Sequence, residues 1–146
     1  MTLPTHLIAG LIIGKLTGNY SLALASSVLP DIDHLPSYIK SGIILKPKLF
    51  WKTVTSQKDS FGNQRGYLHN FLIFVIISTI LFLVLNILAI PLILGWLGHL
   101  LLESLDNSDY WPLYPNKSIN IKGPIKYGTK DELVLFTILI ITYFLI

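Results

Sequence analysis

Four short polar insertions interrupt an otherwise apolar sequence, and each contains one of the chain's 4 histidines. Every histidine stands beside, or within reach of, a carboxylate or an arginine. Imidazole nitrogens and carboxylate oxygens together suit a hard or borderline divalent cation such as Zn²⁺. The sequence therefore predicts a metal site, whose candidate ligands are His6, Asp31, Asp33, His34, His69, His99 and Glu103.

The most specific of these insertions is the run Pro-Asp-Ile-Asp-His that ends at His34. Asp31 and Asp33 stand at alternate positions, so they point the same way if the segment is extended. Two carboxylates and an adjacent imidazole then form a compact set of metal ligands. A helix cap would account for one aspartate, but it does not account for both together with His34.

Two further pairs are spaced four residues apart. His99 and Glu103 share one face of a helix, where they can chelate one cation or couple a metal ligand to a base. A lone core histidine is the plainer interpretation in a soluble protein, but ionisable groups inside a membrane usually face a partner or a cavity. Arg65 could hold an anionic oxygen while His69 binds metal, or the two could be interfacial residues only.

These residues suggest a division of roles. Seven candidate ligands exceed the four that one tetrahedral zinc uses, so one or two ions are expected. One ion could activate water while another polarises a phosphoryl or acyl oxygen, and a spare carboxylate could act as general base. We expect Asp31 or Glu103 to be that base and Arg65 to steady the anionic oxygen of the substrate.

Composition places this chemistry in a membrane. Hydrophobic residues make up 52% of the 146-residue chain and charged residues 13%, against about 25% charged in soluble domains. The length suits a single domain over residues 1–146. The absence of cysteine excludes disulfides, thiolate metal sites and a cysteine nucleophile. The lysines lack interleaved aromatic residues, so no nucleic-acid partner is expected.

The apolar runs predict an all-α, polytopic membrane protein with about five helices, of which the two N-terminal ones are short and not necessarily spanning. These helices are expected at Leu3–Leu16, Tyr20–Leu29, Phe71–Ile90, Pro91–Leu105 and Glu132–Ile146. A continuous helix through the third and fourth would separate His69 from His99 by about 45 Å. We therefore expect a turn between Asn86 and Pro91. The first segment lacks a basic leader and an obvious cleavage site, so it is expected to remain in the mature protein.

The basic residues predict which side of the membrane the site faces. With these turns, 10 of the 11 basic residues fall on the side that carries the histidines, and only Lys15 lies on the other. By the positive-inside rule, that side is cytoplasmic. The ten are Lys40, Lys46, Lys48, Lys52, Lys58, Arg65, Lys117, Lys122, Lys126 and Lys130.

The same blocks give the chain a family resemblance. It resembles the YdjM-like membrane-bound metal-dependent hydrolases in its motifs, which follow the family order: Thr5-His6, Leu29 to His34, Arg65-Gly-x-x-His69, Gly98 to Leu102 followed by an acid, and Trp111-Pro112. Such proteins look like distant relatives of the zinc-dependent phospholipase C and P1 nuclease group. The resemblance implies phosphoester hydrolysis at a histidine- and aspartate-rich metal cluster.

Three positions depart from the family pattern. Leu68 and Asn70 replace two hydroxyl residues around His69, and Glu103 replaces the usual aspartate. The leading interpretation is a hydrolase in the cell membrane, acting on an amphiphilic phosphoester whose tails remain among membrane lipids. A divalent-metal transporter or sensor, and an inactive membrane protein that binds a partner, are the alternatives. A transporter or sensor requires ionisable residues through the depth of the membrane, whereas in this sequence they cluster at one side.

Overall fold

The computed structural model describes residues 1–54 and 65–146, and in these ranges the chain is helical without a β-strand. The only strand-like pairings there are isolated bridges between Asp106 and Ile125 and between Tyr110 and Ile121. The predicted all-α class is confirmed. The helices are α1 (Leu3–Thr17), α2 (Tyr20–Val28), α3 (Leu35–Lys40), α4 (Pro47–Val54), α5 (Phe71–Leu85), α6 (Ile90–Leu105) and α7 (Lys130–Leu145).

Helices α1 and α2 form the tight hairpin that the sequence predicts. Gly18 ends α1 in the left-handed conformation, with φ 73°, which favours glycine. Asn19 then begins α2 by accepting a hydrogen bond from the backbone amide of Leu22 at 3.1 Å. Gly14 lies so close to Tyr20 that an added Cβ would meet its ring at 2.7 Å. Small residues thus bring the two helices together.

Helix α6 packs into the same core beside α1 and α2. Gly95 faces α2, where an added Cβ would overlap the Ser26 hydroxyl and approach the Ala23 carbonyl oxygen to 2.6 Å. Pro91 also contacts this helix, because its carbonyl oxygen accepts a hydrogen bond from Ser26 Oγ at 3.3 Å. The close approach of these backbones determines how α6 presents its polar residues to the N-terminal hairpin.

The long apolar run folds back on itself at Asn86. This residue has φ 52°, and a 3₁₀ turn over Asn86–Ala89 connects α5 to α6. The predicted turn is confirmed, since Phe74 of α5 packs against Trp96 and Leu100 of α6. The predicted end of the third helix at Ile90 is wrong: α5 stops at Leu85, because the backbone of Asn86 leaves the helical region.

Helix α7 packs along α1, from Glu132, which accepts hydrogen bonds from Thr2 and Thr5 near the histidines, to Tyr143 at the opposite end. There Lys15 donates from Nζ to the carbonyl oxygen of Tyr143 at 2.9 Å. Its ammonium group also lies 4.9 Å from the centre of the Tyr143 ring. Lys15, the one basic residue predicted on the side away from the histidines, therefore caps the last turn of α7, where a cation is stabilising.

A broad apolar surface faces outward. In the described part of the chain, the 35 residues Phe71–Leu105 are the stretch long and apolar enough for a membrane crossing, and their most apolar window has mean hydropathy 3.0. Because this stretch folds back at Asn86, its two arms, α5 and α6, are 15 and 16 residues long. Only 11% of its most apolar window is buried within the protein. An exposed surface of this kind requires an apolar surrounding. α1 is apolar but shorter, at 15 residues, so the number of crossings stays a prediction.

The polar segments between α2 and α5 and between α6 and α7 are structured where they are described. The first carries α3 and α4, and the second lies over the start of α5. In that second loop Tyr110 donates from its hydroxyl to the carbonyl oxygen of His69 at 2.9 Å. The amide of Phe71 donates to the carbonyl oxygen of Pro112 at 2.7 Å. These contacts hold the polar end of the helices closed around the histidines.

Candidate metal centre

His69 and His99 point their Nε2 atoms at each other across 3.1 Å. Both side chains are buried, with relative exposures of 1% and 0%. His99 reaches this point from α6, whereas His69 ends the short 3₁₀ turn Tyr67–His69 that precedes α5. The turn at Asn86 therefore produces the meeting that a straight helix would prevent.

The opposite nitrogen of each ring identifies its tautomer. His99 Nδ1 lies 2.8 Å from the carbonyl oxygen of Ser27, which can only accept, so this nitrogen carries the proton. His69 Nδ1 lies 3.2 Å from Asp33 Oδ2 and donates to that carboxylate. The facing Nε2 atoms then both present lone pairs. Two lone pairs at this distance repel each other unless a cation or a proton lies between them.

His6 adds a third imidazole from α1. Its ring stacks on His99 with centroids 3.9 Å apart and planes inclined by 16°. Its Nε2 lies 3.2 Å from Glu103 Oε1, which accepts a hydrogen bond from that nitrogen. Within the described residues, His6 Nδ1 is buried without a hydrogen-bond partner. A buried, unpartnered imidazole nitrogen is a suitable metal ligand.

Asp31 and His34 approach from the segment between α2 and α3. This segment is a 3₁₀ helix over Leu29–His34, so the expectation that it is extended is wrong. In a 3₁₀ helix residues three apart lie above one another. Asp31 Oδ1 accordingly lies 3.4 Å from His34 Nε2, and it lies 3.8 Å from His99 Nε2. Asp33 points away from Asp31 and contacts His69 instead.

In the part of the chain that the structure describes, two overlapping groups of side chains could hold a metal ion. One contains His6, Asp31 and His99, and the other contains Asp31, His34 and His69; within each group the ligand atoms lie within 4.8 Å of one another. Two nitrogens bound to one tetrahedral zinc at ~2.0–2.1 Å lie about 3.3 Å apart. The spacing between His69 and His99 is close to that value, at 3.1 Å. The donor set therefore fits a divalent ion.

The remaining predicted residues lie behind these ligands. Asp33 accepts from His69 and also from the amide of Leu68 at 2.7 Å. Glu103 accepts from Arg65 Nε at 2.5 Å and from the α-amino group of Met1 at 2.5 Å, besides its contact with His6. Arg65 also donates to the carbonyl oxygen of Asp109 at 2.7 Å. In this arrangement Asp33 and Glu103 orient imidazoles, and Arg65 is bound to protein groups.

The electrostatics keep His69 and Asp31 in the state that binds metal. Burial lowers the pKa of His69, and the hydrogen bond to Asp33 offsets only part of that effect. Burial raises the pKa of Asp31, but the hydrogen bond to His34 and the neighbouring imidazoles outweigh it and lower the pKa overall. A neutral imidazole and an ionised carboxylate are the forms that bind cations.

The sequence did not reveal two groups that support the site. Asp106 accepts from the Met1 amino group at 2.8 Å and lies 3.7 Å from Arg65 Nη2. Its position three residues after Glu103, on the same helix face, was a signal that could have found it. The Ser27 carbonyl, which contacts His99, could not be found from the sequence, because every residue has a backbone carbonyl.

The departures around His69 have structural roles. Asn70 begins α5 by accepting from the amide of Ile73 at 3.0 Å, and its side-chain amide donates to the carbonyl oxygen of Tyr114. Leu68 packs against the cluster that contains Trp96, and its carbonyl oxygen accepts from the indole of Trp96 at 2.8 Å.

The expected cytoplasmic residue Lys58 lies outside the described residues.

The fold and the site together define an α-helical membrane protein with a partly buried cluster of histidines and carboxylates that could hold a metal ion. More particularly, the chain belongs to the YdjM inner membrane protein family, whose model matches residues 1–146. The match thus covers the whole sequence, including every block that carries the resemblance. No curated protein and no solved structure matches the chain significantly.

Proposed function

We propose that this protein is a multi-pass, membrane-bound, metal-dependent hydrolase that acts on a phosphoester of a lipid or another amphiphilic substrate. The pairing of His69 and His99 carries the proposal, because their facing nitrogens lie 3.1 Å apart, close to the separation of two nitrogens that bind one zinc ion. Imidazole and carboxylate ligands without thiolate favour zinc among the common divalent ions. A bound divalent ion supplies a Lewis acid that polarises a phosphoryl oxygen and acidifies water.

The residues of the chain would divide this work. The metal ligands would be His6, Asp31, His34, His69 and His99. Asp33 and the Ser27 carbonyl would keep the rings of His69 and His99 in the right tautomer, a role that outer carboxylates and carbonyls often have. Glu103 would do the same for His6. With Glu103 surrounded by cations, Asp31 is the carboxylate better placed to receive a proton from water.

The site's edge agrees with a substrate that arrives from the membrane surface. The side chains of Asp31 and His34 keep 30% and 23% of their surface exposed, whereas the other imidazoles are buried. Apolar side chains surround the helices immediately beyond the polar end. A lipid could thus place its headgroup at this edge while its tails remain in the bilayer. The basic loops would put this edge at the cytoplasmic face.

Metal analysis and turnover of the purified protein test the proposal. Wild-type protein should contain about one or two divalent ions per chain and hydrolyse at least one member of a panel of phospholipids and lipid phosphates. Asp31→Asn should lose metal and turnover, whereas the same change at the exposed Asp131 should alter neither. Stoichiometric metal without turnover would favour a metal sensor or transporter. Absence of metal from wild-type protein would overturn the site.

A further inference from the structure

The segment from Leu35 to Val54 has two faces with different properties. Toward the protein, Tyr38, Ile43 and Thr53 are buried, at 8%, 1% and 7% exposure. The Tyr38 ring stacks on His34 at 6.1 Å between centroids and meets Phe50 edge-on at 5.6 Å. One face therefore connects α3 and α4 to the metal centre.

The exposed side chains of the segment, which form its other face, include large apolar residues. Ile39, Leu45 and Trp51 keep 66%, 86% and 70% of their surface accessible. These side chains lie among four exposed lysines, and the segment has no acidic residue: Lys40, Lys46, Lys48 and Lys52. Aliphatic side chains, tryptophan and lysine in this combination are typical of segments that lie in the headgroup region of a membrane.

We propose that Leu35–Val54 lies on the membrane and binds anionic phospholipid headgroups beside the metal centre. The apolar side chains of Ile39, Leu45 and Trp51 enter the boundary between headgroups and acyl chains. The lysines reach the lipid phosphates. Because the segment has no acidic residue, its positive charge attracts these phosphates at short range. Because α3 begins directly after His34, this contact places lipid headgroups at the open edge of the site.

The proposal concerns a binding surface and does not depend on hydrolysis. A second copy of the chain could also cover apolar side chains. The concentration of lysines favours the lipid surface, since two copies would bring like charges together. Lipid contact and protein contact differ in one observable property. Only lipid contact makes a probe on this face accessible to quenchers attached to acyl chains.

The absence of native cysteine allows one fluorophore to be attached to the full-length protein at a chosen position. Leu45→Cys reports on the apolar face, and Ser118→Cys, an exposed position in the second loop, is the matched control. Each labelled protein is placed in nanodiscs of phosphatidylcholine with or without phosphatidylglycerol. Quenching by brominated acyl chains is then compared with quenching by aqueous acrylamide.

We expect brominated chains to quench the label at Leu45 strongly in discs with phosphatidylglycerol, and acrylamide to quench it several-fold less than the label at Ser118. Changing Lys40, Lys46 and Lys48 to glutamine should weaken the segment's partition onto the anionic surface by on the order of 100-fold at low salt. The label should then become accessible to acrylamide. Equal acrylamide access at both positions would overturn the proposal, as would acyl-chain quenching that is independent of phosphatidylglycerol and the lysines.

Discussion

Arg65 Nε donates a hydrogen bond to Glu103 Oε2 at 2.5 Å, and the side chains keep only 9% and 4% of their surface exposed. Glu103 in turn accepts from His6, which stacks on His99. The ion pair therefore stands at the back of the candidate metal centre and sets the orientation of one of its imidazoles. Among the described contacts, Arg65 therefore supports the structure of the site by binding Glu103.

Removing the Arg65 charge should destabilise the protein strongly. Arg65→Met leaves a buried carboxylate whose remaining partners among the described residues are the Met1 amino group and His6, and breaking a buried pair costs about 3–5 kcal/mol. Thermal unfolding in detergent measures the effect. Lys122→Met is the control, because Lys122 pairs with Asp109 at 2.8 Å on the surface, where such pairs contribute about 0–1 kcal/mol. Equal losses from both variants would contradict the structural role of Arg65.

Asp33→Asn should weaken metal binding more than it weakens the fold. Asparagine can still accept a hydrogen bond from the Leu68 amide, but it no longer supplies the charge that polarises His69. Loss of such an outer carboxylate typically reduces metal affinity about 10- to 100-fold. Competition with a chromophoric chelator gives the Zn²⁺ affinity. Asp131→Asn should leave that affinity unchanged, and an unchanged affinity in Asp33→Asn would assign Asp33 to packing alone.

Gly95→Ala should reduce stability and metal affinity together. The new methyl group would overlap Ser26 and the Ala23 carbonyl, and overpacking of this kind costs about 1–3 kcal/mol. It would also push α2 away from α6, and α2 supplies the Ser27 carbonyl that orients His99. Gly98→Ala is the matched control, since its methyl group would meet only the tip of Ile13, at 3.0 Å. We expect a lower Tm and a weaker Zn²⁺ affinity for Gly95→Ala only.

Tyr110 should make the protein sensitive to alkaline pH. Burial raises its pKa to about 12, and the nearby Glu103 acts in the same direction. The folded state therefore keeps a proton that an unfolded tyrosine loses near pH 10. This contribution to stability is complete below about pH 10 and is lost as the pH rises toward 12, and it amounts to on the order of 2 kcal/mol.

A spectrophotometric tyrosine titration measures this effect. Tyr110→Phe should remove an ionisation step near pH 12, whereas Tyr67→Phe, which alters an exposed side chain, should leave that step in place. The alkaline loss of stability should also be smaller in Tyr110→Phe than in wild-type protein. A titration that is identical in wild type and Tyr110→Phe would contradict the assignment of the pKa shift to Tyr110.

The sequence by itself determined the five apolar helices and the chemistry available to them, but not the short helices α3 and α4. Apolar runs separate from polar insertions because unpaired polar groups are costly in an apolar surrounding, so the helix bounds could be predicted within a few residues. The break in the run from Phe71 to Leu105 could also be predicted, since His69 and His99 cannot meet along one straight helix. The absence of cysteine limited any metal ligands to nitrogen and oxygen.

Only the tertiary structure decided how each side chain is used. Asp31 and Asp33 are equivalent in sequence, but the 3₁₀ helix turns Asp31 toward His34 and Asp33 toward His69. Glu103 shares a helix face with His99, but it contacts His6 because α1 packs against α6. Hydrogen bonds over such separations depend on how helices pack, and local sequence carries no record of that geometry. The facing lone pairs of His69 and His99 are a consequence of this packing.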